Sequence, residues 1–335
     1  YTLSRVVCAC TESSHIKIYP SMRHVFRHSV FAPVALLFLL VLPAQKPGKT
    51  SPPPGTTPVT GFFMDKQEIT NLDYREYLAW LEMVFGKDSE QYRQALPDTT
   101  VWRAELTYNE PFVLHYFQHP AYEKYPVVGV SYEQAVQYCA WRTDRVYERD
   151  LVKAGVIKSS NVCLTDGKPD PAAPASNAAQ YFTTERYLTG EYLGLKPDKT
   201  IPVPRYRLPT EDEWELAASG KLDATLFPYG YDLSDKKIAA QLRKGRHLFH
   251  TKRAVKLQNG PYNLSAAPAG SGLPNAYGLH NAVGNAAEMI AEKGVCKGGS
   301  YAHSLEESKI TGRMTYDKPA SWLGFRCVCV REMPR

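Results

Sequence analysis

Two helix starts constrain this chain more than any other feature of its sequence. Ser131-Tyr132-Glu133-Gln134 and Thr210-Glu211-Asp212-Glu213 are both capping boxes: the hydroxyl accepts from the backbone N–H three residues on, and the Gln or Glu reaches back. Behind the first, Ala135, Tyr138, Cys139 and Arg142 share one face. The second follows Arg207-Leu208-Pro209, carries Trp214, Leu216 and Ala217, and is closed at once by Ser219-Gly220. A further helix, capped by Thr70 or Asn71, runs through Tyr74, Tyr77, Leu78 and Leu81 and stops at Gly86. Strand signals are short: Gly61 to Asp65, Tyr125 to Val130, and Cys327-Val328-Cys329. Short helices, short strands and long Gly/Pro-punctuated connections predict an α+β fold with little regular secondary structure.

Composition supports a buried core and excludes some partners. Of 335 residues, 44% are hydrophobic and 22% charged, which is ordinary globular material rather than a disordered chain. The net charge of +6 is modest and is not gathered beside base-stacking aromatics, so nucleic-acid binding is not expected. Tyr dominates the rings with 22 copies, as suits a fold whose irregular backbone must be packed by half-polar rings. The basic run from Lys236 to Lys256 is read as a solvated loop or helix face.

The N-terminal text divides into three. Residues 1–21 carry no folding signal and read as an over-extended frame. Residues 22–44 have the profile of a secretory signal peptide: Arg23, His24, Arg27 and His28 precede an apolar run from Val30 to Leu42 that ends Pro43-Ala44-Gln45. A spanning helix needs about 20 apolar residues, so cleavage is expected and no transmembrane span should remain. Residues 45–60, centred on Pro52-Pro53-Pro54, read as an extended tether. A single domain is then expected over 61–331, with an insertion near 143–206 that is long for a structureless connection. Beyond the signal segment stand Cys139, Cys163, Cys296, Cys327 and Cys329, without metal-type spacing. They are read as buried thiols, with a bridge from Cys139 or Cys296 left open by the oxidising compartment.

An ordered series of blocks resembles the formylglycine-generating, or sulfatase-modifying-factor, family: Pro126 to Ser131, Tyr138-Cys139-Ala140-Trp141, Arg207 to Glu215, Asn275 to Leu279, Asn281 to Glu288, Lys297-Gly298-Gly299-Ser300, and Gly324-Phe325-Arg326-Cys327. The resemblance implies a fold related to C-type lectins. It also implies a test of catalysis, because active members place paired cysteines shortly after the double glycine to bind copper and activate oxygen. Here the stretch after Ser300-Tyr301 reads Ala302 to Ser308, and ungapped counting puts His303 and Ser308 where those cysteines would be. Neither residue supplies the soft thiolate that selects Cu(I), so copper is not expected and the chain reads as a non-enzyme.

The resemblance further implies a structural calcium ion at the segment Asn281 to Glu288, through the side chains of Asn281 and Glu288 and the carbonyls of Gly284 and Ala286. Oxygen-only ligation from a tight loop suits a hard cation; an Asn/Gly turn closed by Glu288 is the competing reading. Within the family, Leu96 to Trp102, Tyr116 to Pro120, Trp141 to Val146 and Thr183 to Gly190 resemble the gliding-motility and type IX secretion lipoprotein J and K branch of Bacteroidetes. No cysteine closely follows the apolar run, so lipid attachment is not expected. The reading is a non-catalytic, exported scaffold of the periplasm or outer membrane of a Gram-negative bacterium, partnered by other envelope proteins. A formylglycine-generating-type or related metal-dependent oxidase is the alternative, and a carbohydrate-binding module ranks below both.

Overall fold

The computed structural model describes residues 51–103, 108–158, 181–252 and 265–334, with the backbone alone at 164–165 and 168–169. The segments read as an over-extended frame and a signal peptide, together with Cys163 and the Pro/Ala-rich stretch near 169–179, lie outside the described side chains.

In chain order the elements are β1 (Thr56–Val59), β2 (Phe62–Asp65), α1 (Asn71–Phe85), α2 (Glu90–Ala95), α3 (Glu110–His115), α4 (Tyr132–Lys153), β3 (Leu164–Thr165), β4 (Lys168–Pro169), α5 (Thr184–Leu188), β5 (Val203–Arg207), α6 (Glu211–Ala218), α7 (Lys236–Arg243), β6 (Ala287–Met289), β7 (Val295–Lys297), β8 (Met314–Thr315), β9 (Leu323–Gly324) and β10 (Val328–Glu332). One antiparallel sheet runs β1-β2-β10-β5, so the C-terminal strand lies between the start of the domain and its middle. A second runs β8-β7-β6-β9, with β6 and β9 parallel. Among the described residues no helix is long and apolar enough to cross a membrane.

The capping chemistry acts as the sequence requires. Thr70, Ser131 and Thr210 each close a full capping box at the N-termini of α1, α4 and α6, and Gly86 ends α1 at φ +89°. Two expectations need correction. The tether stops short of residue 60, because Thr56–Val59 pairs with β2 and buries Thr56, Thr57 and Val59. A Pro-rich approach ends wherever a β-branched run can join a sheet edge, and Thr-Thr-Pro-Val is such a run. The apolar segment from Tyr125 to Val130 is not a strand: beyond the single bridge of Pro126 to Thr70, its groups bond to loops, with Val127 N donating to Ile69 O (2.8 Å) and Gly129 O accepting from Asp98 N (2.7 Å). Gly129 has φ +74°, and a Cβ there would stand 2.3 Å from the Asp98 carbonyl oxygen, so a close backbone crossing replaces the ladder.

The main core packs α1 and α4 against both sheets, through Tyr74, Leu78, Tyr138, Cys139, Leu323, Phe325 and Cys327. Tyrosine is abundant because irregular backbone leaves carbonyls to satisfy: Tyr74 Oη donates to Ala95 O and Tyr116 Oη to Pro126 O, both at 2.9 Å inside the protein. The insertion contributes a satellite core of its own, in which Tyr147 and Leu151 from the extended α4 meet Phe182, Tyr187, Tyr192 and Val203. α7 buries no side chain, in keeping with a solvated basic face. Cys139 and Cys327 bring their sulfurs within 3.4 Å in this core, whereas the sequence left Cys327 beside Cys329. Ser131→Ala should cost about 1 kcal/mol in chemical denaturation, the usual value of a lost N-cap. Oxidised protein should show a Cys139–Cys327 cross-link by peptide mapping under non-reducing conditions; a bridge from Cys296 instead would contradict the packing.

Candidate functional site

The segment from Asn281 to Glu288 is a tight turn that feeds a buried strand. Asn281 and Asn285 hold the left-handed region at φ +52° and +64°, with Gly284 between them at +86°. Each asparagine clamps the neighbouring 266–272 segment: Asn281 Nδ2 donates to Ala269 O (2.7 Å) while its Oδ1 accepts from Gly272 N (3.2 Å), and Asn285 Oδ1 accepts from Ala267 N (2.7 Å). Gly284 is required by proximity as well, since a Cβ would lie 2.7 Å from the carbonyl oxygen of His250.

Glu288, on β6, is fully buried and is held by a guanidinium. Arg326 Nε donates to its Oε2 at 2.6 Å and Arg326 Nη2 to its Oε1, while Trp214 Nε1 from α6 donates to Oε2 at 2.7 Å. Arg326 also donates to the carbonyls of Asp65 (3.2 Å) and His280 (2.9 Å), so one side chain ties β2, the turn and β6 together. Asn285 Nδ2 donates to Glu68 Oε1 at 2.9 Å, which draws a second buried carboxylate into the group. Among the described residues Glu68 Oε2 has no hydrogen-bond partner. Burial pushes the Glu68 carboxyl up to about 8, against the pull of Arg326 and with a further push from Glu288.

His303 and Ser308 are built into the structure as hydrogen-bonding residues. The His303 ring bonds Ser300 Oγ through Nδ1 at 2.7 Å and stands edge-on to Trp322, with burial holding its pKa below the usual value. Ser308 is fully buried, donates to Ser304 O at 2.7 Å, and packs so closely on Gly299 (φ +64°) that a Cβ there would meet its Oγ at 2.0 Å. The described cysteines are buried elsewhere. Cys296 lies on β7 with its thiol pushed up to about 12 by burial, and burial also raises Cys327 well above the ordinary thiol range. The Cys139–Cys327 pair belongs to the core and not to an open cleft.

Several of these residues escaped the sequence reading. Glu68 closes the polar run Asp65-Lys66-Gln67 and Lys297 follows Val295-Cys296, and nothing local marks either as a buried charge. Lys297 is 0% exposed beside the double glycine and is paired with Glu211 and Glu215 of α6. Because α6 begins at a legible capping box rich in acids, that pairing had a trace in the sequence; Glu68 had none.

Comparison with known proteins gives the family. The family model of the sulfatase-modifying factor enzyme 1-like domain matches residues 40–331, and the chain belongs to that family. It is 26% identical over 321 residues to the formylglycine-generating enzyme of Mus musculus, covering 80% of this chain and 66% of that protein. It is 31% identical over 145 residues to the inactive C-alpha-formylglycine-generating enzyme 2 of the same species, covering 38% of this chain and 44% of that protein. Just under two thirds of the first relative and under half of the second are thus spanned. Among solved structures it is similar to CarF (TM-score 0.42, 19% identity, 80% of this chain and 85% of that one) and to PvdO from Pseudomonas aeruginosa (TM-score 0.41, 18% identity, 81% and 80%).

Arg326→Leu should destabilise the fold by about 3–5 kcal/mol in denaturant titration, because it strands Glu288 without its counter-charge. A raised folded-state pKa means that Glu68 contributes fully below its unfolded value of 4.5 and that this contribution is lost as pH rises through about 8. Glu68→Gln should therefore flatten the fall of the thermal midpoint across that window, and an unchanged slope would contradict the assignment.

Proposed function

We propose that this chain is a non-catalytic sulfatase-modifying-factor-like domain that serves as an interaction scaffold in the cell envelope. The observation that carries the proposal is the occupancy of the family's cysteine positions by His303 and Ser308, each held by hydrogen bonds within its own loop. An imidazole bonded to Ser300 and a buried hydroxyl do not make a bis-thiolate copper site. The likeness to a relative named as inactive supports the same reading. Export rests on the basic and apolar pattern of residues 22–44. A part in gliding motility or type IX secretion rests on the resemblance of the Leu96 to Trp102 and Thr183 to Gly190 segments to that branch of the family.

Structural calcium at the turn belongs to the proposal. Among the described residues no three His, Cys, Asp or Glu side chains gather as a metal cluster, so an ion would rely on amide, main-chain and single carboxylate oxygens. Asn281 Oδ1, the carbonyls of Gly284 and Ala286, and Glu288 Oε1 are those oxygens. Both oxygens of Glu288 already accept from Arg326 and Trp214, and Asn281 Oδ1 accepts from Gly272 N, so an ion at the turn would have to share or displace those donors. A calcium ion held there would tie the turn to β6 through hard oxygen ligands.

Copper-loaded protein incubated with a Cys-x-Pro-x-Arg peptide should yield no formylglycine by mass spectrometry, and product formation would establish the oxidase reading instead. For calcium, a chelator should lower the thermal midpoint of the protein and leave that of Glu288→Ala unmoved, since a ligand of the native state stabilises by mass action. An unchanged midpoint in the unsubstituted chain removes the ion.

A further inference from the structure

The helix α7 (Lys236–Arg243) buries none of its side chains, its apolar ones included. Ile238, Ala239 and Leu242 lie on one flank by their i, i+1, i+4 spacing, and among the described residues none of them packs into a hydrophobic core. Leu242 is 39% exposed, and Leu226 and Leu233, in the turns that lead into the helix, are 73% and 59% exposed. Exposed leucines gathered beside one short helix mark an interaction surface, where single scattered ones would not.

The opposite flank is basic. It carries Lys236, Lys237, Arg243 and Lys244, with Arg246 shortly after, and all of these are exposed. Among the described residues none of them makes an ion pair. The neighbouring acids are turned onto backbone instead: Asp232 accepts from Ser234 N at 2.9 Å, and Asp235 caps the helix by accepting from Lys237 N at 2.7 Å. A free peptide of this length would not hold a helix in water. Here the cap and the domain hold it, so the two flanks are sorted before a partner arrives. Cations alone would suit any polyanion, but cations on one flank and uncovered Ile and Leu on the other suit a surface that is anionic above and hydrocarbon beneath.

We propose that α7 docks on an anionic phospholipid bilayer, lying in the plane of the headgroups with Ile238 and Leu242 at the acyl boundary and the Lys and Arg side chains among the phosphates. A helix of this length lies on a bilayer and does not cross it. The reading goes beyond the scaffold proposal and stands without it, because it rests on this helix and its two leader turns alone.

The test is flotation of the full chain with vesicles of phosphatidylcholine alone and of phosphatidylcholine mixed with phosphatidylglycerol. Because the apolar run from Val30 to Leu42 can enter vesicles by itself, the readout is the difference between the chain and its α7 variants. Each Lys or Arg near an anionic surface is worth about fivefold in partitioning, so Lys237→Gln with Lys244→Gln should weaken binding to the mixed vesicles about 25-fold. Binding to phosphatidylcholine alone should not change, and high salt should erase the difference. Leu242→Ser should weaken binding to the mixed vesicles about threefold and leave retention on immobilised polyglutamate as it was. All three side chains are exposed, so the variants should keep the thermal midpoint of the unsubstituted chain. Equal binding of the chain and both variants to the mixed vesicles would overturn the proposal. So would a loss with the lysine pair that Leu242→Ser does not share, which would assign the helix to a purely polyanionic surface.

Discussion

The ion pair of Arg326 with Glu288 is the constraint on which the domain depends. Both side chains are sealed from solvent, at 0% and 1% exposure. A guanidinium with that little water must find every acceptor inside the protein, and Arg326 finds the carboxylate of β6 and the carbonyls of Asp65 and His280. Those groups come from the beginning and the last third of the domain, so the pair closes the chain on itself. Trp214, bonded to the same carboxylate, brings in α6. A fold poor in long ladders gains from such a hub, because one buried charge with directional partners specifies the packing of several loops at once.

How much of this was legible depended on whether a residue's work is local. Capping boxes are satisfied within four residues, so Ser131 and Thr210 announced α4 and α6 without ambiguity. The strand from Phe62 to Asp65 was legible for the same reason. Tyr125 to Val130 misled because apolar β-branched text looks alike whether it pairs in a ladder or threads between loops, and only the close approach at Gly129 decides. Thr56–Val59 was hidden behind prolines whose stiffness does not extend to the residues after them. The partnership of Glu68 with Asn285 spans most of the chain, and no spacing rule reaches that far.

The site shows the same division. The turn residues Asn281, Gly284 and Asn285 could be read from their type, since Asn and Gly tolerate the left-handed backbone found there. The carboxylate at Glu288 was expected to serve a cation, and its strongest visible partner is a guanidinium. A charged side chain supplied by the protein and a bound ion answer the same need, namely counter-charge at a buried acid. The proposal that His303 and Ser308 stand in for the family's cysteines rests on the sequence, and in the structure both are knitted into their own loop by short hydrogen bonds.

The central claim is that the family's scaffold persists here without the thiolate pair that holds its metal. Competition for Cu(I) against a chromophoric chelator, with the native, reduced protein, tests it most directly. The account predicts that the chelator keeps its copper at any protein excess. Stoichiometric withdrawal of Cu(I) by the folded chain, lost when its cysteines are replaced, would contradict it.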